Sequence, residues 1–205
     1  MSPTVTLALT GASGMPYGIR LLECLLGAGA RVYLLYSQAA QIVARQEMDL
    51  ALPGRAKDAE AFFAERFQAA SGQLRAFGRE EWFAPVASGS NPADAMVVCP
   101  CSMGTLGAIA NGLADNLIER AADVMLKESR QLILVARETP LSAIHLDNML
   151  RLARAGACIL PANPGFYHRP GSIVEIVDFV VARVLDQLRI PHQLMQRWGE
   201  ETKES

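Results

Sequence analysis

The chain has 205 residues, a length that suits one domain, since single cores stop growing near ~250–300 residues. Its 19 basic and 21 acidic side chains leave a net charge of −2, too little positive field for nucleic-acid binding or a polybasic membrane contact. Hydrophobic residues make up 51% and charged residues 20%, which excludes disorder; with aromatics at 6%, Ala, Leu, Val and Ile must build the core, as in α/β proteins with buried parallel strands.

In chain order, Val5 to Leu9 reads as a strand, followed by the turn Thr10-Gly-Ala-Ser-Gly14 and a helix from about Pro16 to Ala28. Arg31 to Tyr36 is a second strand, with a helix from about Gln38 to Glu47. Residues 51–58 read as a loop, Ala59 to Ala70 as a helix, and Ser88 to Pro92 as another loop. Ala95 to Cys99 is a strand, Ser102 to Asn111 and Asn116 to Lys127 are helices, and Gln131 to Ala136 is a strand. A helix from Pro140 to Ala155, a strand from Ala157 to Leu160 and a long helix from about Ser172 to Leu188 follow. Strands separated by helices imply right-handed crossovers. The expected fold is a single-domain three-layer α/β/α, Rossmann-like (flavodoxin-like) fold with a mainly parallel sheet, over residues 1–190, with 191–205 as a C-terminal tail.

Ala95 to Ala114 runs 20 residues without a charge, but Pro100, Asn111, Ser102 and three glycines make it a buried strand, turn and helix rather than a membrane span. The start lacks a basic n-region, and the four cysteines make no disulfide framework, so a cytoplasmic location is expected.

In parallel sheets ligands sit at the carboxyl ends of strands. The first turn has glycines at 11, 14 and 18, not the G-x-G-x-x-G spacing, and the amides of the helix behind it favour an anion. The second strand ends at Ser37, where an NAD site would normally carry Asp or Glu; a mononucleotide or another phosphate ligand stays open. Ser102, with Thr105 three residues on, reads as a helix cap or as a hydroxyl-rich helix start facing a phosphate or flavin. Cys99 and Cys101 are too few and too close for zinc. Arg137-Glu138 ends a strand, as a site pair or a surface ion pair, and Thr139-Pro140 reads as a helix start.

Two sets of cations stand out. In the last helix Ile176, Val177, Val180, Val181, Val184 and Leu188 form an apolar stripe, with Arg183 on it or at its edge. Buried there, its guanidinium requires a carboxylate or a ligand phosphate. Arg120 and Lys127 lie seven apart on one side of a helix, either at a site or on a solvated face with Asp123 paired to Lys127. None of the three histidines sits in a nucleophile constellation, and no hydrolase or P-loop motif occurs.

Five motifs in register (Thr10-Gly-Ala-Ser-Gly14, Cys99-Pro-Cys-Ser102, Asn116-Leu-Ile-Glu-Arg-Ala-Ala-Asp-Val124, Arg137-Glu-Thr-Pro140 and Pro164-Gly-Phe-Tyr-His-Arg-Pro170) resemble the flavin prenyltransferases, the UbiX/Pad family, from about residue 5 to 198. The resemblance implies an FMN-binding homo-oligomer, commonly a dodecamer, that joins a dimethylallyl group from dimethylallyl phosphate to reduced FMN at N5 and C6. The prenylated FMN would then serve a UbiD-type decarboxylase, for example in ubiquinone biosynthesis. By matching positions, FMN would contact Gly11, Ala12, Ser13, Ser37, Ser102, Met103, Gly104, Thr105 and Arg137. The prenyl phosphate would meet Lys127, Glu138, Tyr167 and Arg183 with Arg120 close by; Glu47 matches an acid near the flavin, and Trp198 a tail aromatic that closes the site. Ala136, Ser129 and Asn163 depart from the usual Pro, Arg and apolar residue, none of them at a carried-over site residue.

The residue chemistry agrees with that assignment. Breaking an allylic C–O bond leaves a phosphate for Arg183, Lys127 and Tyr167 to stabilise and a cation-like carbon for an aromatic face. The chain has no Asp-rich magnesium motif, so no metal is expected. Two other readings are a cysteine decarboxylase of the phosphopantothenoylcysteine type, whose Met-Asn-x-x-Met signature is missing from residues 161–170, and a non-catalytic flavin carrier.

Overall fold

Alternate residues of each strand serve opposite cores, which is why the strands read as unbroken apolar runs. Leu7, Leu9, Val32, Leu34, Val97, Ile133 and Val135 pack into one cluster, while Ala8, Leu35, Met96, Val98, Leu132 and Leu134 pack into the other. The computed structural model describes residues 2–195. Its strands are β1 (Thr4–Leu9), β2 (Arg31–Tyr36), β3 (Leu74–Ala76), β4 (Ala95–Cys101), β5 (Gln131–Ala136) and β6 (Cys158–Ile159). They form one sheet in the order β3-β2-β1-β4-β5-β6, with every pairing parallel. The expected three-layer Rossmann-like fold is borne out.

Helices α1 (Met15–Gly27), α2 (Gln38–Met48), α3 (Ala56–Arg66) and α7 (Ile173–Leu188) cover the first face. Helices α4 (Met103–Ala110), α5 (Leu117–Lys127) and α6 (Ala143–Arg154) cover the second. Gly18 lets α1 lie directly on the sheet: a Cβ there would collide with the Cys99 carbonyl oxygen. Arg20 of α1 reaches Asp178 of α7 at 2.8 Å, and the Asp178 side chain is only 12% exposed.

Several expected boundaries move. The loop drawn over 51–58 ends early, because α3 begins at Ala56. Strand β3 and the 3-10 turn Pro85–Ala87 were not expected; at three residues, β3 is too short to leave a period. Helix α6 starts at Ala143 rather than Pro140. Ser142 is its cap, accepting from the His145 amide at 3.2 Å, while the His145 ring accepts from the Ser142 amide at 3.3 Å. Pro140 offers no such acceptor, and the hydroxyl sets the start. The uncharged stretch from Ala95 divides into β4 and α4. Among the described residues no helix is long and apolar enough to cross a membrane.

Candidate active site

The sheet order reverses between β1 and β4, and a crevice opens there at the carboxyl ends. Thr10 follows β1 directly and is 1% exposed. Its hydroxyl donates to the Pro100 carbonyl at 2.8 Å and accepts from the Ser102 amide at 2.9 Å. The turn from Gly11 to Ser13 follows, pressed so closely on α2 that a Cβ on Gly11 would collide with Ala39.

Glu47, near the end of α2, supplies the anion expected at the start of α1. Its carboxylate accepts from the amides of Gly14 at 2.9 Å and Met15 at 2.8 Å. Those two amides are therefore taken, whereas nothing among the described residues accepts from the amides of Gly11, Ala12 and Ser13. Ser37 caps α2, accepting from the Ala40 amide at 3.1 Å. Ser102 caps α4, accepting from the Thr105 amide at 3.3 Å, and its hydroxyl lies 3.1 Å from that of Thr105. Between these caps lies a cavity of about 300 Å³, lined among others by Ser37, Phe77, Arg79, Thr105 and Asn116. A larger cavity of about 780 Å³ sits at the amino ends of the strands, beside Thr4, Arg31 and Asp94, and none of the predicted site residues among the described residues lines it.

The crevice thus gathers Gly11, Ala12, Ser13, Glu47, Ser37, Ser102, Met103, Gly104 and Thr105. Arg137 and Glu138 follow β5 at the same edge and are exposed. The Arg137 amide donates to Cys101 at 3.2 Å, and the Glu138 carboxylate accepts from the Thr139 amide at 3.0 Å. No Arg137–Glu138 ion pair forms among the described residues. Tyr17, which sequence reasoning missed, lies beside the first turn, its ring against Gly14. Burial raises its phenol, the neighbouring Cys99 and Glu47 raise it further, and Arg137 pulls it back. Its place between Glu47 and Arg137 arises only once α1 is laid over β4.

Each cation expected at a prenyl phosphate has a carboxylate partner within its own chain. Arg183 takes the edge position and is not buried: its side chain is 51% exposed, and it pairs with Asp186 at 2.7 Å. At seven residues from half-buried Ile176 it falls at the stripe's edge, and the stripe is completed by Leu185 and Ala182 instead. The pairing of Lys127 with Asp123 is also corrected. Asp123 meets Arg120 at 2.8 Å, and Lys127 is paired with Glu128. Lys127 ends α5 ten residues past Leu117, about 15 Å down the axis from the crevice, and lies beside Gly89. Tyr167 is exposed in the loop before α7, its ring 5.8 Å from that of Phe179. Trp198 lies outside the described residues.

A model of the flavoprotein family matches residues 1–185, and the chain is a flavoprotein of Rossmann type. The flavin prenyltransferase UbiX of Pseudomonas aeruginosa is 57% identical over 197 residues, covering 96% of this chain and 94% of the relative. The crystal structure of AnUbiX in complex with FMN and dimethylallyl pyrophosphate superposes with a TM-score of 0.86 at 40% identity, over 98% of this chain and 100% of that one. A dodecameric FMN-dependent UbiX-like decarboxylase from Escherichia coli O157:H7 gives 0.85 at 40% identity, over 96% and 100%. Within the flavoproteins, the chain belongs to the flavin prenyltransferase family, and the resemblance and the transferase class read from the sequence are borne out.

The crevice fits a flavin mononucleotide. The amides of the first turn are available to an anion, Gly104 opens onto free space with nothing within 4 Å of a built Cβ, and Ser37 rather than an acidic ribose ligand ends β2.

Proposed function

We propose that the chain transfers a dimethylallyl group from dimethylallyl phosphate to reduced FMN, and that its prenylated product serves a UbiD-type decarboxylase. The carrying observation is the crevice between the Ser37 and Ser102 caps, with free amides at Gly11 to Ser13 and the Arg137 and Glu138 pair at its rim. When bound, reduced FMN supplies the nucleophilic N5 and C6 positions to which the five-carbon unit is joined. The first-turn amides, Ser37, Ser102 and Thr105 hold and orient it, and Arg137 and Glu47 flank it.

The allylic C–O bond breaks with its electrons leaving on phosphate. Arg183, Lys127, Arg120 and Tyr167 neutralise that charge, and Glu138 lies beside it to take a proton. Because Lys127 lies ten residues down α5 from Leu117 and Arg183 ten residues down α7 from Ile173, neighbouring copies of a homo-oligomer supply them. Support comes from the dodecameric E. coli relative and from the apolar Ile144, Leu150, Ile173 and Val174, all exposed on the single chain. Protein cations perform the charge neutralisation, so turnover should survive EDTA.

The test is anaerobic incubation with reduced FMN and dimethylallyl phosphate, followed by a mass spectrum of the extracted flavin. A flavin heavier by one five-carbon unit is expected. Unmodified FMN at full binding would instead favour a flavin carrier, and NAD binding without FMN binding would defeat the reading.

A further inference from the structure

The ladder between β1 and β4 runs from Val5↔Ala95 to Ala8↔Val98 and stops there. Beyond it no ladder pairs β1 with the last residues of β4, Cys99 to Cys101, yet the crevice needs the two turns in fixed relation. Thr10 spans the gap. Its amide donates to the Pro100 carbonyl at 3.2 Å, and its hydroxyl donates to the same carbonyl at 2.8 Å. The Thr10 hydroxyl oxygen in turn accepts from the Ser102 amide at 2.9 Å. One hydroxyl thus acts as donor and acceptor in a site that is 1% exposed, where an orphaned partner finds no water.

The Ser102 it holds is the cap of α4, whose own hydroxyl engages Thr105. The residue after Thr10 is Gly11, the first of the three free amides. We infer that Thr10 is a positioning residue for flavin binding: its hydroxyl locks the first turn to the Ser102 cap, so that both halves of the crevice meet the flavin in one geometry. This rests on the flavin-binding reading above. Valine matches threonine in shape but strands the Ser102 amide and leaves the two turns joined only through the Thr10 backbone amide.

Thr10→Val should keep its native circular dichroism while its FMN dissociation constant rises about tenfold. At saturating FMN its KM for dimethylallyl phosphate should stay within about twofold of the unsubstituted protein. Thr10→Ser, which keeps the hydroxyl, should restore FMN affinity. In the unsubstituted protein, amide hydrogen exchange should find Ser102 protected to the level of the β4 core. An unchanged FMN affinity in a folded Thr10→Val, failure of Thr10→Ser to rescue, or fast exchange at Ser102 would each overturn the inference. Absence of FMN binding by the unsubstituted protein would instead defeat the functional reading, and the exchange measurement would still decide on the lock.

Discussion

Glu47 and Arg183 are both acid–base side chains near helix ends or edges, but their surroundings give them different consequences. The Glu47 carboxylate spans from α2 to the amides of Gly14 and Met15, so it closes the start of α1 and keeps the first turn in place. Glu47→Ala should cost about 1 kcal/mol of stability, the usual worth of a lost helix cap, and should also weaken FMN binding; urea denaturation and fluorescence titration measure the two. Arg183 pairs with Asp186 in the open, where such a pair contributes about 0–1 kcal/mol. Arg183→Ala should therefore melt close to the unsubstituted protein and bind FMN normally. Its prenylation rate should nevertheless fall roughly 30- to 1,000-fold, as for loss of a charged contact to a leaving group. Full turnover in that variant would leave Arg183 as a surface ion-pair residue.

Strand β4 carries two thiols into the dry centre of the sheet, with Cys99 and Cys101 both 0% exposed. Burial pushes the Cys101 thiol from its usual 9.0 up to about 12, and burial together with the neighbouring Cys101 raises Cys99 further. Between about pH 9 and 12 the unfolded chain gives up thiol protons that the folded chain keeps. Stability should thus be unaffected below pH 9 and fall as pH rises above it. Urea midpoints at pH 8 and 10.5 measure the decline, which Cys101→Ala should lessen, and both thiols should resist alkylation in the native protein at pH 8. Helices α1 and α7 are tied by Arg20 and Asp178, whose side chains are 30% and 12% exposed. Asp178→Ala should cost about 1–3 kcal/mol, because it removes the carboxylate that accepts from Arg20 Nε and leaves the partly buried guanidinium to Glu23 alone; the shift in urea midpoint checks it. Elements with a strong local signal were legible in the sequence. β2 and β5 begin and end where their apolar runs do, and Ser102 caps α4 as its hydroxyl suggests. β3 was not legible, because three residues at a sheet edge leave no pattern, and α6 was misplaced because Thr139-Pro140 competes with the better cap at Ser142.

At the scale of the whole molecule, alternating strands and helices were enough to imply a layered parallel sheet, and the rule that ligands sit at strand ends located the crevice. Contacts between residues distant in sequence escaped that reading. Thr10 with Ser102, Glu47 with Gly14 and Tyr17 beside Arg137 are products of the sheet order, which no local periodicity encodes. The cations were legible as residues but not as an arrangement, since the places of Lys127 at the end of α5 and Arg183 within α7 follow from how those helices pack on the sheet. In the proposed assembly one copy holds the flavin and its neighbours hold the prenyl phosphate. Mixed assemblies test this most directly. Thr105→Trp fills the flavin cavity and Arg183→Ala removes a phosphate cation, so each variant alone should be nearly inactive. Co-expressed in equal amounts and purified through tags on both chains, they should recover about a quarter of the unsubstituted rate, the share of sites with both halves intact under random pairing. Mixed assemblies as inactive as either parent would contradict a site built between copies.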